Sequence, residues 1–349
     1  MSNKSLFAIT AVLICICTSS TAYAAKTNRL ILSGRKLKAE EAASLEKQVE
    51  ENPDDVTSRT KLLVYYIREQ FRDKSARQAK KRHVLWLIMN SPESEILATP
   101  YGQLYAFLDK EAYSQGKEHW INQLKKKPVN LKVLENSANY FLQHDRDLAR
   151  ESLQKAQSLD MENPKWPKEL GHLYSLGMMR KPSDAKKEAA GKALEQYEIA
   201  HKLSDDMGRD YLISELAKTA LAAGKNQKAK EYAEKMLSQS KPGWNYGNNI
   251  HHGNIILGKI ALASNDIEQA KKRLIEAGKT PGSPQLDSFG PNMSLAKELL
   301  EKGEKDIVLE YFELCSKFWK RARHLRKLNK WSAEVKEGKI PDFGPNLNR

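Results

Sequence analysis

The stretch LGKIALASNDIEQAKKRLIEA, Leu257 to Ala277, gives the clearest indication of the fold of this chain. It begins with a large residue and a glycine, and Ala261 follows three positions after that glycine. Thirteen residues after Leu257 comes Ala270, followed by Leu274 and Ala277. At helical spacing, small residues let two helices approach closely and large residues fill the space between them. The stretch therefore predicts two helices packed against each other.

The same pattern recurs along the chain. In four of five units, the second helix enters its pattern thirteen residues after the anchor that opens the first helix. In the remaining unit, which is anchored at Leu170, the second helix enters its pattern ten residues later than this offset, because MMRKPSDAKKEAAG at 178–191 is inserted. Repetition of a helix pair indicates a repeat architecture. The five anchors are Asn136, Leu170, Leu216, Leu257 and Leu295.

These units resemble the tetratricopeptide repeat family, whose repeats are helix pairs of about 34 residues. The resemblance covers more than half of the chain, and a fainter unit surrounds Leu62, Leu63 and Tyr66. It implies an all-α fold, a right-handed α-solenoid of tetratricopeptide-like helix pairs with a concave groove lined by the first helix of each pair. The chain is similar to exported bacterial members of that family, many of which have no assigned activity.

The first residues have the pattern of a secretory signal. Lys4 precedes an apolar run from Leu6 to Cys17, and Ala22-Tyr23-Ala24 follows. This order predicts a signal peptide at 1–24 and export to the periplasm or the cell exterior. The alternative is an uncleaved membrane anchor, for which this apolar run is too short. Since no apolar run of the chain reaches the about 18 residues of a membrane span, we expect no transmembrane span in the mature chain. The mature chain keeps one cysteine, Cys315, and cannot form an internal disulfide.

Four regions follow from these patterns. They are the signal peptide at 1–24, a helical region with degenerate repeats at 25–127, the repeat solenoid at 128–319, and a basic helix with a tail at 320–349. The sequence FGPN occurs at 289–292 and again at 343–346 in the tail. A coincidence, a tail packed on the chain's own surface and a mobile tail all remain open.

The net charge of +14 limits the class of partner. Such a charge usually indicates nucleic acid, but an exported chain meets little of it, so we expect none. An acidic protein segment, or an anionic component of the cell envelope, is the expected partner. We expect no cofactor.

The repeat frame places a set of cations and one aromatic ring along the groove, which indicates an extended binding surface. The alternative is that lysine is simply common in this chain. Two long loops, SQSKPGWNYGN and GKTPGSPQLDSFGPN, add aromatic residues that serve either as partner contacts or as a plug between repeats. The predicted groove residues are His172, Tyr211, Lys218, His252, Lys259 and Lys297, and the loop residues are Trp244, Tyr246 and Phe289.

The adjacent pair His251-His252 raises the question of whether this chain has a metal site or catalytic residues. Neighbouring side chains on a helix point about 100° apart, and no second histidine or cysteine pair follows at metal-binding spacing. We therefore predict neither a metal site nor catalytic residues, and interpret the chain as a non-catalytic exported scaffold. The alternative function is an envelope hydrolase, or another enzyme, that uses the His251-His252 region. It lacks a paired-carboxylate, triad or phosphate-loop signature.

Overall fold

The structure is a computed structural model that describes residues 26–178, 183–238, 243 and 245–347. Across these ranges the chain forms helices and contains no strand, which confirms the all-α class. No helix in the described ranges is both long enough and apolar enough to cross a bilayer. The predicted signal peptide at 1–24 lies outside the described residues.

The chain divides into two compact units between Met161 and Glu162. The predicted boundaries after residues 127 and 319 lie inside these units. The first unit contains seven described α-helices and two short 3-10 segments, at Glu95–Ala98 and Pro100–Gly102. Its helices are α1 (26–34), α2 (Ala39–Glu51), α3 (Val56–Glu69), α4 (Lys74–Asn90), α5 (Lys110–Lys126), α6 (Leu131–Phe141) and α7 (Arg146–Leu159).

The second unit contains ten described α-helices and a 3-10 segment at Gly344–Leu347. Its helices are α8 (Lys165–Met178), α9 (Ser183–Leu203), α10 (Asp206–Ala222), α11 (Asn226–Ser238), α12 (Tyr246–Ala263), α13 (Ile267–Gly278), α14 (Pro284–Phe289), α15 (Ser294–Glu301), α16 (Lys305–Ser316) and α17 (Ala322–Lys336).

Aspartates begin many of these helices. A carboxylate before the first turn accepts a hydrogen bond from a backbone N–H that has no partner within the helix. Asp55 accepts from Ser58 N at 2.9 Å, and Asp266 accepts from Gln269 N at 3.0 Å. Asp145 precedes α7 but is used differently: its carboxylate accepts hydrogen bonds from the Tyr113 hydroxyl and from Lys117 Nζ. It therefore ties the start of α7 to α5.

The first unit holds a buried polar network centred on Glu46. Glu46 Oε1 accepts from the Tyr66 hydroxyl at 2.6 Å and lies 2.9 Å from His83 Nε2. Arg59 donates to His83 Nδ1 at 3.1 Å and stacks over the ring of Trp86. Since Arg59 can only donate, Nδ1 of His83 is the acceptor and Nε2 carries the proton. The network thereby satisfies polar groups that burial would otherwise penalise.

In the second unit, consecutive helices pack as pairs. The pairs α8 with α9, α10 with α11 and α12 with α13 make extensive contacts, and α15 contacts α16. In addition, α12 contacts both α10 and α15, and α13 contacts α16. The first helices α10, α12 and α15 are therefore neighbours in that order, and α13 and α16 are neighbouring second helices. The small and large residues that the repeat pattern assigned to the second helices are buried. They are Ala193, Tyr197, Ala200, Ala229, Ala233, Met236, Ala270, Leu274, Ala277, Val308, Phe312 and Cys315.

The two FGPN segments pack against each other. The Asn346 side-chain amide donates to the carbonyl oxygens of Phe289 and Pro291. The backbone carbonyl oxygen of Asn346 accepts from Met293 N at 2.8 Å. Both segments turn through a left-handed glycine, Gly290 at φ 89° and Gly344 at φ 52°, which side chains rarely tolerate. Of the alternatives for the tail, packing on the chain's own surface is the one observed.

Candidate functional site

The second unit carries a groove of about 1100 Å³, named here the lysine groove. Its apolar lining comes from α10 and α12, where Leu221 and Leu262 stay partly exposed while Ile255 and Ile256 are buried. Its charged lining contains both lysines and glutamates, and Leu347 of the tail lines the groove as well. The charged residues are Lys186, Glu215, Lys218, Lys259, Glu298, Glu301 and Lys302.

The ion pairs reduce the positive character of this groove. Lys259 pairs with Glu298 at 2.9 Å, and Lys218 lies 3.5 Å from Glu215. Exposed pairs of this kind contribute little to stability, but they partly neutralise each other toward a ligand. Lys186 and Lys302 line the groove as well, and within the described ranges neither forms an ion pair. These two exposed ammonium groups are the ones available to an anion.

A second cavity of about 650 Å³, named here the amide cleft, adjoins the groove and shares four lining residues with it. Residues with side-chain amides, from the start of α12 and from α14, line it together with two exposed aromatic residues, Tyr211 and Phe289, and the buried Tyr197. Tyr211 is 69% exposed and Phe289 is 55% exposed. The four amide residues are Asn245, Asn248, Asn249 and Gln285.

The two adjacent histidines have different roles. His251 is buried and bridges two segments: its Nδ1 lies 3.1 Å from Ala277 O, and its Nε2 accepts from Asn292 N at 2.9 Å. Nδ1 therefore carries the proton and donates to Ala277. Burial lowers the pKa of His251 to about 4. Its neighbour His252 lines both cavities, and burial, together with the charge of Lys218, lowers its pKa well below the usual value. At neutral pH His252 is a neutral hydrogen-bonding group rather than a cation.

The structure brings most of the predicted groove residues together. His172, Lys218 and His252 line both cavities, Lys259 lines the lysine groove, and Tyr211 lines the amide cleft. The neighbouring first helices α10 and α12, which pack side by side, hold four of the five.

Other predicted residues lie elsewhere. Lys297 is outside the lining of both cavities and pairs with Glu301 on its own helix. Phe289 reaches the amide cleft, whereas Tyr246 begins α12 and lines neither cavity. Trp244 lies outside the described residues. The predicted row of three lysines is thus a pair, Lys218 and Lys259, in the groove.

Two sets of lining residues were missed by sequence reasoning. The glutamates of the lysine groove were not considered, although Glu215 lies one helical turn before Lys218. The amides were missed because the repeat frame examined one position per turn, whereas Asn248 and Asn249 lie one turn before His252 on the same face. Lys186 lies in the inserted stretch, for which the repeat pattern gives no position.

The two cavities are lined by ammonium, carboxylate, amide, imidazole and aromatic groups. Among the described residues, no three His, Cys, Asp or Glu side chains are grouped so that they could hold a metal ion. Cys315 is fully buried, and burial raises the pKa of its thiol. Compared with known proteins, the chain matches no family model and no curated protein. The site's own chemistry is therefore the basis for inferring a function.

Proposed function

We propose that this chain is an exported helical-repeat protein of the tetratricopeptide type that binds an acidic segment of another protein in the lysine groove. The signal-like pattern at 1–24 supports export. The observation that carries the binding role is the groove itself, which is lined both by apolar residues and by Lys186 and Lys302, two lysines without an ion-pair partner among the residues that the structure describes. No residue is assigned a catalytic role.

The packing supports the repeat assignment. Pairs of helices follow one another, with the first helices α10, α12 and α15 adjacent in that order. Gly171 and Gly258 occupy the small position after their anchors, and a Cβ at these positions would meet Tyr197 or Leu295. Small residues at helix contacts of this type permit the close approach that a helical repeat requires.

The lining of the groove suits a peptide with two kinds of side chain. Leu221 and Leu262 offer apolar contact, which is the main source of affinity in most protein association. Lys186 and Lys302 would each attract a carboxylate, and such attraction increases the association rate and selects against basic partners. Because Lys218 and Lys259 already have glutamate partners, we assign them a smaller share of the attraction.

Selection from a random peptide library on the immobilised chain tests this proposal. We expect enriched peptides that combine acidic and apolar residues, with affinity that falls as salt rises. The double variant Lys186→Glu/Lys302→Glu should weaken a selected peptide about tenfold or more.

The matched control reverses the same number of charges outside the groove, with Lys272→Glu/Lys305→Glu on α13 and α16. Both control lysines are exposed, so the change in net charge is equal. If the control weakens the peptide as much as the groove variant does, net charge rather than the groove holds the peptide. Enrichment of basic or purely apolar peptides would reject the proposal.

A further inference from the structure

Two aromatic side chains flank the amide cleft without being part of the core. Tyr211 on α10 is 69% exposed, and Phe289 at the end of α14 is 55% exposed. Both line the cleft, and α12 packs against α10 as well as against α14. The helix α12 therefore lies beside two walls that each present an aromatic ring. Aromatic side chains normally bury much of their large apolar surface, so two exposed rings around one cavity are a specific feature.

The floor of the cleft is an ordered set of neutral amides. Asn248 donates through Nδ2 to Asn245 Oδ1 and to Gln285 Oε1, both at 3.0 Å. Its Oδ1 accepts from Ser283 Oγ at 2.6 Å. These bonds fix the orientation of Asn248 and use the acceptor oxygens of its two neighbours. Because the oxygens of Asn245 and Gln285 accept these bonds, the NH₂ groups are the donor ends of two side chains that line the cleft.

The cleft has no excess of charge for its ligand. Lys168 lies 3.9 Å from Glu169, and Lys218 lies 3.5 Å from Glu215. The lining contains two lysines and two glutamates, so these charges balance. Its two leucines, Leu212 and Leu286, are each 2% exposed and offer no apolar socket. A peptide that depends on apolar side chains or on net charge therefore finds little here.

Exposed rings, ordered amides and paired charges match one class of ligand. The ring of a sugar has an apolar C–H face that stacks on an aromatic ring, and hydroxyls around its edge that both donate and accept hydrogen bonds. A volume of about 650 Å³ is within the range of small-molecule sites. We propose that the amide cleft is a saccharide-binding site, with Tyr211 and Phe289 as stacking residues and Gln285 and Asn245 as hydrogen-bond donors.

This proposal does not depend on peptide binding in the lysine groove, because different residues carry it. The mature full-length chain would be titrated with three soluble tetrasaccharides: maltotetraose, cellotetraose and tetra-N-acetylchitotetraose. Saturation-transfer NMR would detect binding, and calorimetry would measure it. We expect saturable binding of at least one tetrasaccharide with a Kd of about 1 mM or tighter. Tyr211→Ala and Phe289→Ala should each weaken it about tenfold.

Three controls keep the result interpretable. Tyr211→Phe retains the ring and should bind like the wild type. Phe107→Ala removes a ring that is 71% exposed in the first unit and should have no effect. Lys186→Glu/Lys302→Glu should leave saccharide binding intact, so that failure of one proposal is distinguishable from failure of the other. The proposal is overturned if no tetrasaccharide binds at about 10 mM, if the ring variants bind as well as the wild type, or if peptides compete for the cleft while saccharides do not bind.

Discussion

The side-chain amide of Asn346 donates a 2.9 Å hydrogen bond to the carbonyl oxygen of Pro291. The two residues belong to the two FGPN segments, which lie far apart in the sequence and meet in the structure. Asn346 is 2% exposed, and its Oδ1 accepts from Lys327 Nζ at 3.0 Å. One amide thus joins the tail, α17 and the loop before α15. Since this loop also contacts His251, the tail supports one edge of the lysine groove.

Asn346→Ala should lower the free energy of unfolding by about 1–3 kcal/mol, because it removes the donor from the buried hydrogen bond to the Pro291 carbonyl and from the partly buried one to the Phe289 carbonyl. Urea denaturation of the purified chain measures the change. Ile340→Ala, in the same tail but 46% exposed, is the matched control and should change stability by less than about 0.5 kcal/mol. Equal losses for the two variants would mean that the tail is only loosely attached.

The sequence predicts the repeat core well because that core depends on local spacing. Ala270 and Leu274 follow Leu257 at a fixed offset, and both are fully buried. The FGPN contact is not predictable in this way, because it joins residues 55 positions apart through one amide. The groove illustrates the same limit: the frame gave Lys218 and Lys297 equivalent positions, yet α15 begins only at Ser294 and Lys297 pairs within its own helix. The spacing of residues within one helix does not determine which side chains of a neighbouring helix lie beside them.

Two helical glycines should respond oppositely to alanine. Gly258 lies against Leu295 and Arg273, so an added Cβ forces the neighbouring side chains to move. Gly258→Ala should destabilise the chain by about 1–3 kcal/mol through overpacking. Gly191 in α9 has open space around it, and Gly191→Ala should stabilise by about 0.5–1 kcal/mol through helix propensity. Melting temperatures of the two variants test both signs, and a stabilising Gly258→Ala would contradict the packing at that contact.

Cys315 should report on unfolding of the second unit. The thiol is fully buried, and burial raises its pKa, so little thiolate is present or accessible. In protein produced without residues 1–24, and so without Cys15 and Cys17, alkylation by iodoacetamide should therefore require unfolding and proceed at least about a thousandfold more slowly than in denaturant. In the same shortened protein, Lys272→Cys/Cys315→Ala places its one thiol on an exposed position of α13, and this thiol should react at nearly the same rate in both conditions. Rapid alkylation of native Cys315 would contradict its burial.

The buried ring of His251 should make the free energy of unfolding depend on pH. Its pKa is lowered from 6.5 to about 4 in the folded state, because the buried ring cannot easily accept a charge. As the pH falls below about 6.5, the unfolded chain binds the proton first, which favours unfolding. The stability conferred by the neutral ring is therefore complete above about pH 6.5 and is lost progressively toward about pH 4. A shift of this size corresponds to about 3 kcal/mol.

His251→Gln isolates this contribution, because glutamine does not titrate yet offers a donor for Ala277 O and an acceptor for Asn292 N. His252 remains in both proteins, and its pKa is lowered mainly by burial and only in smaller part by the neighbouring His251, so most of its effect cancels in the comparison. Urea unfolding at pH 7 and at pH 4.5 should show the wild type losing about 2–3 kcal/mol more than the variant over this interval. Parallel losses in the two proteins would mean that the ring of His251 reaches water and takes up its proton while the chain is folded.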